Sequence, residues 1–398
     1  MRIKSILLAV LIAIGFAACN NEDVPVVKQK GEATISVRVM PSSNGAALRA
    51  VEDLTGNGVL ALGLADESKI QELEVYVFDA FTDALDKYKA ATIADGDPAE
   101  VTGIEVTPGD KVIMVVANGD VGTKATKDDL LAATMDLPVV ADKLPMTGES
   151  DVITLNPGQN YYGYSTSVGT TDDNFIEEEK PLKIMRVNAR VAIVAADLSE
   201  AIKDGNDPIF DELQDVDVAI FNVPIASLLF GEPGDLAKNE NYLFGEAWDT
   251  TDKTYVESGT AEGTFKNAEV AFPIDVTKAP TYYVTENTAD ERADDTVANE
   301  QMLIVLRGKP YKGGNPVVSA GLYTDADGYT YYPIRVNKDG IISDGAKDGK
   351  ILRNTQYNIS LTIKKIGNPT IDDVEDAWLD VIVQVVDWEV ITQDVAWQ

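Results

Sequence analysis

The chain has 398 residues, with 33 Lys+Arg against 66 Asp+Glu, a single cysteine and no histidine. A formal charge of −33 argues against nucleic acid as a partner, because phosphate binding needs clustered cations, and it favours solubility at a cell exterior. The missing histidine removes the commonest metal ligand and the commonest general base at neutral pH, and a lone cysteine permits no intrachain disulfide.

At the N-terminus, Arg2 and Lys4 precede Ile6–Ala18, a run without charge. A spanning helix needs roughly 20 apolar residues, so this shorter run reads as a secretory signal peptide covering residues 1–18. It ends Phe16-Ala17-Ala18-Cys19, small residues before a cysteine, which have the form of a lipobox. Cys19 is therefore the expected lipidation site, tethering a soluble body to a membrane through acyl chains that each contribute ~0.8 kcal/mol per buried CH₂. No later segment is long and apolar enough to span a bilayer.

Residues 19–49 form a leader. Within it, Ile35, Val37 and Val39 alternate with Thr34, Ser36 and Arg38, the period-two pattern of a strand with one apolar face. An isolated strand cannot bury that face, so Thr34–Met40 is expected to dock on the domain that follows. Pro41–Ala50 is small, polar and glycine-containing, the character of an exposed loop open to proteolysis. Arg49 followed by Ala50 suits an arginine-specific protease, whose cut would separate the lipid and the leader strand from the body.

The rest exceeds what a single core usually reaches, about 250–300 residues, so two domains are expected, at 50–181 and 182–398. The acidic stretch Asp172–Glu179, closed by Lys180-Pro181, is the expected junction. Apolar β-forming runs recur at Glu72–Phe78, Lys111–Ala117, Arg190–Ala196, Asp217–Phe221, Met302–Leu306, Asn358–Lys364 and Trp378–Trp388, each bounded by Gly, Pro, Asn or Asp. Many short punctuated strands indicate β-sandwiches. Lys127–Ala133 and Leu198–Lys203 read as short helices.

The last residues are again apolar and alternating. Glu389–Gln398 places Ile391, Gln393, Val395 and Trp397 on one face. Such a strand either completes its own sandwich or completes another molecule's. Taking Thr34–Met40 out of the first domain would leave a groove with open edges, and the C-terminal strand of a neighbour could fill it by β-strand addition. That contact is head-to-tail and gives a filament. Ile391, Val395 and Trp397, at ~1.5–3 kcal/mol for each buried side chain, would contribute ~5–9 kcal/mol.

These pieces resemble the major fimbrial subunit (fimbrillin) family, the type V pilins. The resemblance lies in the lipobox, the Leu48-Arg49-Ala50 junction and a series of ordered strings spread over nearly the whole chain. They are Ile70–Phe78, Leu144-Pro145-Met146-Thr147-Gly148, Ile184–Val191, Leu303–Gly308, Ile351–Ile359 and Val383–Trp388. The resemblance implies an all-β fold of two transthyretin-like β-sandwiches in tandem. It implies export as a lipoprotein to the outer membrane, arginine-specific cleavage and polymerisation with copies of itself or related pilins into a surface fimbrium that adheres to host or bacterial surface ligands. Carried over, Cys19 is the lipidation site, Arg49–Ala50 the cleavage site, Thr34–Met40 the discarded strand and Glu389–Gln398 the donor strand. Anchor and tip subunits share parts of this plan, and the apolar C-terminal segment favours a stalk subunit.

Enzyme chemistry finds little support. Asp325-Ala326-Asp327-Gly328 begins like a calcium loop, but the twelfth position is Val336 where that loop carries Glu, so a tight turn is the expected reading. Acidic pairs such as those in Glu177–Glu179 are expected by chance in so acidic a chain. Gly308–Gly314 lacks the Lys-Ser/Thr ending of a phosphate loop. Tyr161, Tyr162 and Tyr164, or Tyr329, Tyr331 and Tyr332, could stack on a sugar, with strand-edge packing the plainer use. No cofactor or metal is expected. The competing functional reading is a surface lipoprotein that stays uncut and binds a glycan or protein through an aromatic groove.

Overall fold

A computed structural model of the chain describes residues 32–41, 65–93, 99–136, 141–198, 209–221, 223–224, 226–231, 242–243, 268–269, 271–275, 279–287, 301–318, 321–337, 350–370 and 379–387. Nearly all of the regular structure among them is β, in two sandwiches.

The first sandwich comprises β1 (Ala33–Pro41), β2 (Glu72–Asp79), β3 (Leu85–Thr92), β4 (Ala99–Val106), β5 (Gly109–Ala117), β7 (Met146–Glu149), β8 (Ile153–Leu155), β9 (Gly158–Tyr162), β10 (Asn174–Ile176) and β11 (Leu182–Arg186), with β6 (Thr134–Asp136) set apart. β2 and β5 pair antiparallel from Leu73↔Ala117 to Asp79↔Lys111. Both read as continuous apolar runs because both of their faces are covered. One face, with Val75, Val77, Ile113 and Val115, packs on the main core. The other, with Tyr76, Phe78, Met114 and Val116, lies under Leu130 of a short helix and under Leu229 and Phe230.

That helix, α1 (Lys127–Leu131), lies inside the expected Lys127–Ala133. It starts at a capping box, where Thr126 accepts from the Asp129 N–H and Asp129 accepts from the Thr126 N–H. Of the second expected helix only Leu198 is described.

The second sandwich begins with β12 (Ala189–Asp197) and β13 (Glu212–Phe221), followed by the short strands β14 (Val223–Pro224), β15 (Ala226–Leu228), β16 (Tyr242–Leu243) and β17 (Ala268–Glu269). It continues with β18 (Thr281–Val284), β19 (Leu303–Lys312), β20 (Asn315–Pro316), β21 (Thr330–Arg335), β22 (Thr355–Ile363) and β23 (Leu379–Asp387). A sheet in the order β18-β12-β22-β23 faces a sheet built on β17-β13-β19-β20, with β21 also paired to β19. Val191, Ile193, Tyr357 and Ile359 from the first meet Val218, Ile220, Ile304 and Leu306 from the second in one core. The turn expected at Asp325 is formed, with the Asp325 carboxylate accepting from the Asp327 and Tyr329 N–H groups.

The expected division at 181/182 falls one strand early in the hydrogen-bonding pattern. β11 pairs parallel with β1 and antiparallel with β7, so Leu182–Arg186 belongs to the first sheet. The chain passes into the second sandwich over Val187 and Asn188. Gly148 explains how tightly β11 is seated: a Cβ there would come within 2.3 Å of the Lys183 carbonyl oxygen and 2.9 Å of the Ile184 side chain.

Among the described residues the sandwiches join at two places. β15 pairs antiparallel with β6, and the Leu229 N–H donates to the Ala133 carbonyl at 2.9 Å. Beside this lies a buried polar cluster. Glu67, 1% exposed, accepts from Arg190 Nη1 at 3.0 Å and from the Tyr283 hydroxyl at 2.7 Å. Arg190 also donates to Gln356, while Arg186, fully buried, donates to the Glu67 carbonyl, to Ser68 and to Asn354. Burial pulls the Arg186 guanidinium down to about 10, partly offset by the charge of Glu67.

Candidate functional site: the slot of strand β1

β1 is the node of the first sandwich. Along one edge it pairs antiparallel with β4, from Ala33↔Val106 to Val39↔Ala99. Along the other edge its first half pairs parallel with β9, from Ala33↔Gly158 to Val37↔Tyr162, and its last three residues pair parallel with β11, Val39↔Leu182 to Pro41↔Ile184. Both edges of the strand are thus satisfied by the body of the domain, and the slot it fills has a floor of core side chains.

The inward face does what the alternation predicts. Ile35, Val37 and Val39 are each 0% exposed and pack among Val75, Val101, Ile104, Ile113, Val115 and Ile184. Burying three such side chains contributes about 5–9 kcal/mol as an upper estimate. β1 thus packs on the first sandwich through both edges and one face, and runs one residue further at each end than Thr34–Met40.

The opposite face carries polar contacts that alternation alone does not announce. Between Ile35 and Val37 the register with β4 shifts, so that Thr102 and Gly103 together oppose Ser36. This is a bulge, and Gly103 takes φ +60°, a left-handed conformation that suits glycine. The Gly103 N–H donates to Ser36 Oγ at 3.2 Å. Two residues on, Arg38 Nε donates to Glu100 Oε2 at 3.2 Å, and its guanidinium carbon sits 4.4 Å from the ring centroid of Tyr164. Tyr164 meets Tyr161 edge-on at 5.4 Å, and Tyr161 stacks on Phe175 at 5.3 Å. Burial and the neighbouring Glu100 carboxylate push the Tyr164 phenol well above its ordinary value. On β9, Asn160 Nδ2 donates to the Thr34 carbonyl at 3.0 Å.

Of the other residues singled out in the sequence, Cys19, Arg49 and Ala50 lie outside the described residues, as do Ile391, Val395 and Trp397. The tyrosines fall into separate settings. Tyr164 lies against Arg38 and is met edge-on by Tyr161, whereas Tyr329 and Tyr331 stack with Arg307 on the outer face of β19. The junction cluster was not foreseen. Its only signal was a pair of arginines, Arg186 and Arg190, inside an otherwise apolar stretch of an acidic chain, and Glu67 gave none.

Comparison with known proteins fits this architecture. The model of the family "Major fimbrial subunit protein (FimA)" matches residues 33–186, and that of the "FimA4 pilin C-terminal domain" matches residues 188–388. The two matches meet where β11 gives way to β12. Major fimbrium subunit FimA type-4 of Porphyromonas gingivalis is 32% identical over 412 residues, covering 97% of each chain. The type-5 subunit of the same organism is 30% identical over 420 residues, again covering 97% of each. Among solved structures, a fimbrilin (FimA) from P. gingivalis W83 superposes with a TM-score of 0.67 at 26% identity, covering 91% of this chain and 99% of that one. This non-enzymatic, structural family accounts for the absence of catalytic chemistry in the sequence, and with both family models covering nearly all of the described body, the chain belongs to the major fimbrial subunit (FimA) family.

Proposed function

We propose that this fimbrial subunit is exported as a lipoprotein, lipidated on Cys19, and held in the precursor state by its own leader strand. An arginine-specific protease cuts between Arg49 and Ala50. The leader strand then leaves its slot, and Glu389–Gln398 of another copy or of a related pilin enters it. Repetition of that step builds a head-to-tail filament on the cell surface, released from the outer-membrane tether and able to support adhesion to host or bacterial ligands.

The observation that carries this reading is the placement of β1. A strand close to the N-terminus supplies three fully buried side chains and is bonded along both edges, while Arg49 lies only eight residues beyond its end at Pro41. Its departure would open backbone donors and acceptors on β4, β9 and β11 together with an apolar floor. Open edges of this kind recruit another strand, and main-chain hydrogen bonds added to buried side chains make slow dissociation expected.

The test is incubation of the purified precursor with an arginine-specific protease, followed by N-terminal sequencing and electron microscopy, beside a chain lacking Glu389–Gln398. A new N-terminus at Ala50 and filaments from the full-length chain alone are expected. A cut product that stays monomeric would overturn strand donation by the C-terminal segment.

A further inference from the structure

The apolar face of β1 discriminates poorly among apolar strands, since β-branched or aliphatic residues of similar size would fit in the places of Ile35, Val37 and Val39. The opposite face is more demanding. We infer that Glu100 and the ring face of Tyr164 form a cation subsite of the slot, selecting for a strand with a basic side chain where Arg38 now sits. The inference rests on the strand-exchange reading above.

The subsite has the parts that guanidinium recognition needs: a carboxylate acceptor 3.2 Å from Arg38 Nε and an aromatic face 4.4 Å from the guanidinium carbon. Its aromatic half is braced by residues outside β1. Tyr164 is 5% exposed and braced by Tyr161, which is itself stacked on Phe175. Glu100 projects from β4, which is paired with β1 and continues through Thr107 and Pro108 into β5 of the body. The bulge at Gly103 adds a second element to the pattern, because its N–H needs an acceptor and Ser36 provides one. The complete polar pattern is a hydroxyl followed two residues later by a cation.

The leader meets the whole pattern, and the chain's own C-terminal segment meets half of it. Trp388–Gln398 contains no Lys or Arg. Seating Ile391 and Val395 at the positions of Ile35 and Val39, in the same chain direction, brings Gln393 to the fully buried place of Val37 and Thr392 to the place of Ser36, which keeps the hydroxyl. The same seating brings Asp394 to the place of Arg38, facing Glu100. At this position the leader is thus favoured over a second copy's terminal strand until it is cut away. A related subunit whose terminal strand carries Arg or Lys there is the preferred donor over this chain itself.

The experiment uses the chain cut after Arg49, with labelled peptides competing for the vacated slot at low salt. The peptides are Ala33–Pro41, the same sequence with Arg38→Ala, Glu389–Gln398, and the last with Asp394→Arg. Arg38→Ala is expected to weaken binding about tenfold, the sum of a partly exposed ion pair and a cation–π contact. Asp394→Arg is expected to tighten the terminal peptide several-fold. Both differences should shrink in Glu100→Gln protein and at high salt. Equal binding of the two leader peptides, with both clearly bound, would overturn the subsite and leave strand exchange standing. Failure of every peptide to bind would remove the strand-exchange reading and the subsite with it.

Discussion

Arg190–Glu67 and Arg38–Glu100 are the same chemistry at nearly the same separation, 3.0 and 3.2 Å, yet the first pair has side chains 2% and 1% exposed and the second 30% and 44%. The first sits where the two sandwiches meet, tied further to Tyr283 and Gln356. The second sits on a strand proposed to leave. A buried pair cannot lose one member without stranding a charge in low dielectric, whereas water takes over for a lost partner at a partly exposed pair. Environment, more than contact geometry, thus suits one pair to holding the body together and the other to letting go.

The largest expected effect follows from breaking the buried pair. Glu67→Ala removes the carboxylate that accepts from Arg190 and Tyr283, while the backbone carbonyl used by Arg186 stays, and should cost about 3–5 kcal/mol of stability, read by urea denaturation. The two sandwiches should also melt less cooperatively, because Glu67 comes from the first and Arg190, Tyr283 and Gln356 from the second. A loss below 1 kcal/mol would show that this cluster is dispensable and that β6–β15 pairing with the Leu229–Phe230 contact joins the sandwiches alone.

Next is the apolar face of the leader strand. Ile35→Ala should destabilise the precursor by about 2–5 kcal/mol through the cavity it leaves. The same substitution should leave the cut, leader-free chain unchanged, since the residue is no longer present. Destabilisation that persists after cleavage at Arg49, with no step that strips the cut segment, would show that the segment stays in its slot.

A smaller effect belongs to the fixed end of the first sandwich. Lys111, 1% exposed, bridges Asp86 at 2.8 Å and Asp79 at 3.4 Å. Burial acts to raise the Asp86 carboxyl, but hydrogen bonds from Lys111 and Thr107 outweigh it and hold the group below its ordinary value. A carboxylate depressed in the folded state adds stability at pH values above its unfolded pKa, and that stability is lost as pH falls through the folded one. Asp86→Asn should therefore lower stability at neutral pH and flatten the acid limb of the stability curve, measured by thermal melts from pH 7 to pH 2. An unchanged acid limb would mean that Lys111 is satisfied by Asp79 and Thr107 alone.

How far this architecture was legible in the sequence depended on whether a contact follows from pattern or from topology. Ile35, Val37 and Val39 could be placed on a buried face because alternation in a strand reports burial directly. β2 and β5 could be recognised as strands for the same reason, although not that the second sandwich covers their outer face. The capping residues Thr126 and Asp129 fixed the helix start locally. Nothing local tells that Leu182–Arg186 turns back to pair with β1, since the acidic stretch before it looks like a linker. Glu67 was illegible because its partners lie more than a hundred residues away. The bulge at Gly103 was likewise hidden, being a property of two strands and not of one.

The smallest expected effect sharpens the comparison most, because it tests the exposed pair in the intact precursor. Glu100→Gln removes the acceptor charge facing Arg38 while leaving an amide that still accepts a hydrogen bond. Arg38 keeps its contact with the Tyr164 ring, and water reaches both side chains, so the cost should be below about 1 kcal/mol and should diminish as salt is added. The same charge removal at the buried pair, Glu67→Gln, should cost several-fold more and depend little on salt. If Glu100→Gln destabilised the precursor as much as Glu67→Gln, the leader would be fastened by its polar face, and its release after cleavage would require more than the loss of a covalent tether. If it cost next to nothing, retention of the leader in the precursor would rest on Ile35, Val37, Val39 and the backbone ladders.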